Sequence, residues 1–192
     1  MKNIILFLVY MIKARLDGTK VHFAWALPFR SNGIGTILAF YNPATKDIVA
    51  LIKPILLAKK YASRRNDSVG FLYCLWHELG HHLCEKAMRD YPSFMKKAMS
   101  TINRQIALDP TYHERSQGAA MFMALHTTNW AHEVIADGYA SIYCNTQHPS
   151  MRGQMYIIGI AMAEALDRLY RGHWALKTAR FLHKITKSTK RK

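Results

Sequence analysis

His77, Glu78 and His81 lie within Leu75-Trp76-His77-Glu78-Leu79-Gly80-His81-His82-Leu83, a His-Glu-x-x-His pattern inside a run with helical hydrophobic spacing. Residues four apart on a helix share one face a turn apart, so both imidazoles can reach one metal ion, and zinc suits them. Glu78 follows the first imidazole and points beside such an ion, where a general base must stand to take a proton from water. With 10 His in the chain the triplet is a short signal, and its surroundings decide its weight.

About fifty residues downstream, Ala131-His132-Glu133-Val134-Ile135-Ala136-Asp137-Gly138-Tyr139-Ala140 is again helical in character. Glu133, Asp137 and Ala140 fall at i, i+4 and i+7, one face with two carboxylates, and Ala136 permits close helix contact. A catalytic zinc takes three protein ligands, and a ligating His usually gives its other ring N–H to a carboxylate. Glu133 can supply the third ligand and Asp137 that acceptor.

His77-Glu78-Leu79-Gly80-His81 followed by Glu133-Val134-Ile135-Ala136-Asp137 resembles the paired motifs of the gluzincin zinc metallopeptidases, whose second motif is Glu-x-x-Ala-Asp or Glu-x-x-Ser-Asp. The match covers about ten residues on two helices. The resemblance implies that His77, His81 and Glu133 bind one Zn2+ per chain, that Glu78 is the catalytic base, and that Asp137 orients a ligand His. It also implies a protein or peptide substrate and a small sheet ahead of the active-site helix. An edge strand of that sheet would receive the substrate as an added strand, with Thr36 to Phe40 one candidate.

A chain of 192 residues with 50% hydrophobic content suffices for one well-buried core, and residues 1–192 are expected to form one domain. Three short β-prone stretches are expected, Val21 to Leu27, Gly35 to Phe40 and Asp47 to Ile52. The turn Asn42 to Asp47 should join the last two as an antiparallel hairpin. A helix over Lys53 to Ala62 and a capping loop at Ser63 to Ser68 lead into the active helix, Val69 to Met88, where Gly80 allows a close approach. Further helices are expected from Ser93 to Ala107, capped by Ser93, around Glu133 behind a cap at Thr127, Thr128 or Asn129, from Met155 to Leu169, and from Trp174. The fold class is therefore α+β, predominantly helical, with a small antiparallel sheet, zincin-like if the resemblance holds. The segment Thr111 to His126 would wall a cleft. His82, His113, His126, His132, Tyr112 and Tyr139 could each polarise a carbonyl, though a structural role is the plainer reading of any one.

Lys and Arg number 27 against 12 acids, a net charge of +15, which favours an anionic partner such as nucleic acid or a membrane surface. The end from about residue 184 is a basic tail. Cys74, Cys84 and Cys144 make no disulfide framework; Cys74 and Cys84 lie ~15 Å apart on one helix, beyond bridging distance, so reduced thiols are expected. The apolar run Ile4 to Ile12 is followed at once by Lys13, Arg15 and Asp17 without a small-residue cleavage site, so a buried first helix is preferred over a targeting or interfacial segment. These features point to a cytoplasmic protein, of a cell or an infected host, with secretion or membrane association left open. The main function expected is zinc-dependent peptide hydrolysis. Two other readings stand beside it: a catalytically inactive or regulatory metal-binding protein whose basic surface binds nucleic acid or another anionic partner, and a structural helical domain with an accidental motif.

Overall fold

The computed structural model describes residues 2–25, 39–52, 70–108, 130–147 and 153–189, with side chains up to residue 185. In chain order these form α1 (Lys2–Asp17), β1 (Lys20–Ala24), β2 (Ala39–Asn42), β3 (Asp47–Leu51), α2 (Phe71–Asp90), α3 (Pro92–Leu108), α4 (Trp130–Cys144), α5 (Gly153–Leu169) and α6 (His173–Thr189). Six helices and three strands make a predominantly helical α+β arrangement, as expected. The expected helix over Lys53 to Ala62, the cleft wall from Thr111 to His126, with Tyr112, His113 and His126, and the caps at Ser63 to Ser68 and Thr127 to Asn129 lie outside the described residues.

The sheet is mixed rather than antiparallel throughout. Its strand order is β1-β3-β2, with β1 parallel to β3 and β2 antiparallel to it. The hairpin half of the expectation holds, because Asn42 Oδ1 accepts from the Ala44 N–H at 3.1 Å and Lys46, at φ 60°, closes the turn by donating its N–H to the Asn42 carbonyl at 2.8 Å. The first strand instead adds beside β3 in the same direction, which places the last strand in the middle. Strand pairing of this kind is a long-range choice that alternation within a segment does not encode. β2 is left at an edge, and that edge lies against α2.

Apolar residues of α2 recur every three or four positions, and Leu75, Trp76, Leu79 and Leu83 are wholly buried. The helix begins after Gly70, whose backbone is extended and which offers no side-chain cap. Tyr91 ends it by donating its N–H to the Ala87 carbonyl, and Pro92 opens α3 at the first helical position, where its missing donor costs nothing; Ser93 is thus inside α3 rather than its cap.

Among the described elements, α2 packs most extensively against α4. Trp76 stacks face to face on Tyr143 with ring centroids 3.8 Å apart and planes 6° from parallel. One turn along, the helices nearly touch: a Cβ on Gly80 would stand 2.7 Å from the Ala136 Cα. α5 approaches the other side of α4 just as closely, since a Cβ on Gly138 would fall 2.2 Å from the Gly159 carbonyl. Small residues at these crossings let the backbones meet, which fixes where the α4 carboxylates stand relative to the α2 histidines.

A buried charged cluster ties α1 and α5 to this pair. Lys13 Nζ lies 2.7 Å from Asp17 Oδ2 and 3.7 Å from Asp167 Oδ1. The Asp167 carboxylate accepts the hydroxyls of Tyr139 at 2.8 Å and Tyr143 at 2.6 Å. Burial pushes the Asp167 carboxyl up, against the opposing pull of Lys13 and the two hydroxyls. The Asp17 carbonyl in turn accepts from Lys86 Nζ at 2.9 Å and His82 Nε2 at 3.2 Å. The three cysteines are unpaired thiols, as expected.

Candidate metal centre

His77 and His81 stand one turn apart on α2, and both turn Nε2 toward α4; the two nitrogens are 3.0 Å from each other. Glu133, in the first turn of α4, reaches across with Oε2 at 3.3 Å from His77 Nε2 and Oε1 at 3.3 Å from His81 Nε2. Ligand atoms held ~2.0–2.1 Å from a tetrahedral zinc are separated by ~3.3 Å. Each imidazole stands at about that spacing from one of the two Glu133 oxygens, and a ligand atom from each of the three residues lies within 4.8 Å of the others, close enough to converge on one ion.

The chemistry of the donors agrees. Asp137, one turn after Glu133, accepts from His77 Nδ1 at 2.8 Å. With its N–H committed there, His77 presents a lone pair at Nε2 to a carboxylate, and that pairing repels unless positive charge lies between them. Burial by itself would drive the His77 proton off, but Asp137 and Glu133 outweigh it and hold the imidazole well above the ordinary histidine range. His81 is shifted downward, chiefly by burial. Burial raises Glu133 while His81 and His77 pull it down further, to about 2. The pocket thus calls for a cation at its centre, either a proton or a metal ion, and the convergence of three ligand atoms suits the metal. His77, His81 and Glu133 are the residues that could hold it.

Glu78 lies on the side of α2 facing the sheet. Its Oε2 accepts the backbone N–H of Tyr41 at 2.8 Å, from the edge strand β2. Burial raises the Glu78 carboxyl to about 7, with His77 pulling the other way. A carboxyl near that value can both take and release a proton at neutral pH.

Sequence reasoning assembled all five of these residues, and the fold brings them together. It missed two supporting residues, Tyr73 and Tyr41. The Tyr73 hydroxyl lies 3.2 Å from Asp137 Oδ1, 3.1 Å from the Asp137 carbonyl and 3.3 Å from Ser141 Oγ. Its position four residues before His77 was the available signal. Tyr41 not only holds Glu78 through its backbone but donates its hydroxyl to Glu85 Oε2 at 2.9 Å, which clamps β2 to α2; nothing local announces it.

Of the proposed carbonyl-polarising groups, two are excluded by position. Tyr139 is buried and bound to Asp167, and His82 is buried against the end of α1. His132 is near the centre, its ring 6.5 Å from that of His81, with Nε2 3.2 Å from Met88 Sδ. Comparison with protein-family models, with curated proteins and with solved structures gave no match to this chain.

Proposed function

We propose that the chain is a zinc-dependent metalloendopeptidase of gluzincin type on a zincin-like fold. The observation that carries this reading is the convergence of His77 Nε2, His81 Nε2 and the Glu133 carboxylate, one oxygen 3.3 Å from each imidazole, from two helices far apart in sequence. Asp137 behind His77 and Glu78 on the neighbouring side of α2 support it, as the acceptor that orients a ligand His and as the base.

A zinc ion held by His77, His81 and Glu133 would supply the positive charge that polarises a peptide carbonyl and acidifies a water. Glu78 takes a proton from the attacking water as its oxygen bonds to the carbonyl carbon. The carbon–nitrogen bond then breaks, and Glu78 returns that proton to the leaving amine. Asp137 keeps the His77 N–H at Nδ1, so that Nε2 remains a ligand.

The placement of β2 supports a peptide as substrate. Backbone groups of alternate residues point the same way, and Tyr41 directs its N–H to Glu78 rather than to β3, so Ala39 and Tyr41 both face the outer edge. An extended chain laid along that edge would pass directly by Glu78.

Elemental analysis of washed protein tests the reading, with one zinc expected per chain and a weakened site in Glu133→Ala. Absence of metal in the wild type would overturn it. Zinc at full occupancy without hydrolysis of a denatured protein substrate would favour the regulatory, non-catalytic alternative.

A further inference from the structure

The first helix carries an apolar surface that the metal centre does not use. Leu6, Val9, Tyr10 and Ala14 of α1 face the core, but Ile4, Leu8, Ile12 and Leu16 follow one another at four-residue intervals on the opposite face, with Ile5 beside them. Their exposures run from 39% for Ile5 to 69% for Leu16, so α1 is apolar on both sides and covered on one. The expected buried helix is half of what α1 is.

The patch continues onto the sheet. Phe7, at the border of the exposed face, lies 6.3 Å from the ring of Phe23 in the edge strand β1, and Phe23 and Trp25, the residue just past the end of that strand, are 48% and 63% exposed. Arg15, three residues after Ile12, is exposed beside it, while the one acid of α1, Asp17, is turned inward onto Lys13. Contiguous apolar surface of this kind marks an interaction site.

We propose that the outer face of α1, with Phe23 and Trp25, seats the protein on an anionic lipid surface. Aliphatic and aromatic side chains embedded at the headgroup boundary, with a cation such as Arg15 beside them, are the chemistry of an interfacial helix. The net charge of +15 draws the chain toward anionic lipid and opposes the pairing of two copies through the same face. None of the described helices is long and apolar enough to cross a membrane, and the buried Leu6, Val9, Tyr10 and Ala14, with Lys13 reaching Asp167 of α5 at 3.7 Å, fix the inner side of α1 to the core, so the helix lies flat. Tyr10 packs edge-on to Trp76, on a different face of α2 from His77 and His81, so seating α1 leaves the metal centre uncovered by that contact.

Co-sedimentation of the full chain with vesicles tests this, using phosphatidylcholine containing phosphatidylglycerol against phosphatidylcholine alone. Binding is expected to the anionic vesicles and to be much weaker to the neutral ones. Replacing Leu8 and Ile12 together by Ser should weaken it about tenfold or more, and Trp25→Ala, outside α1, should weaken it severalfold. Because these side chains are exposed, thermal midpoints should stay near that of the wild type. No binding to anionic vesicles at low salt would overturn the proposal. So would undiminished binding of both folded variants, which would leave charge alone as the cause, or a wild-type dimer that the Leu8/Ile12 variant converts to monomer, which would make a second copy the occupant.

Discussion

The backbone N–H of Tyr41 donates to Glu78 Oε2 across 2.8 Å, so the edge strand of the sheet holds the one acidic side chain of the His-Glu-x-x-His motif that is not aimed at the metal position. A main-chain donor fixes that carboxylate without itself exchanging a proton, and the second oxygen remains for proton transfer. Glu78→Gln retains an acceptor for Tyr41 but cannot act as a base. Zinc content should be unchanged while turnover falls about 100- to 10,000-fold; wild-type hydrolysis by this variant would remove Glu78 from the mechanism.

Asp137→Asn should weaken zinc about 10- to 100-fold, because the charge that fixes the His77 tautomer is lost. Competition with a chromophoric chelator measures this directly. Tyr73→Phe removes only one hydroxyl from the same carboxylate and should have a smaller effect in the same direction.

Removal of metal should lower stability as well as activity. Zinc at a thousandfold excess over its dissociation constant stabilises a folded chain by about 4 kcal/mol. The thermal midpoint should therefore drop on chelation and recover when zinc is restored, whereas a midpoint indifferent to chelator would speak against a preformed site.

Gly80→Ala tests whether the α2–α4 crossing sets the metal geometry. Alanine favours a helix by about 1 kcal/mol over glycine, yet its methyl would stand 2.7 Å from a backbone carbon of Ala136. Overpacking of this kind costs about 1–3 kcal/mol. The expected result is a protein that is no more stable than wild type by denaturant unfolding and binds zinc more weakly; a stabilised variant with unaltered affinity would show that the helices can part without consequence.

Lys13→Met should be the most destabilising of these changes, because it strands two buried carboxylates, Asp17 and Asp167, that share one cation. Breaking a buried ion pair costs about 3–5 kcal/mol. Denaturant unfolding measures the loss, and zinc stoichiometry of the protein that remains folded should be unaffected.

By itself the sequence determined the described helices around the site and the candidate ligand residues they carry. The i, i+4 spacing puts His77 with His81 and Glu133 with Asp137 on single helix faces, and local periodicity suffices to read it. It also contained the hairpin, because Asn42 to Asp47 carries its own turn chemistry. Only the tertiary structure decided that β1 joins the sheet in parallel, that Tyr41 grips Glu78, and that Lys13 reaches Asp167 of α5. Each of these is a contact between residues whose separation along the chain no local pattern records. The same holds for the outer face of α1: an apolar run reads as core until the packing shows which half of it the core had room to cover.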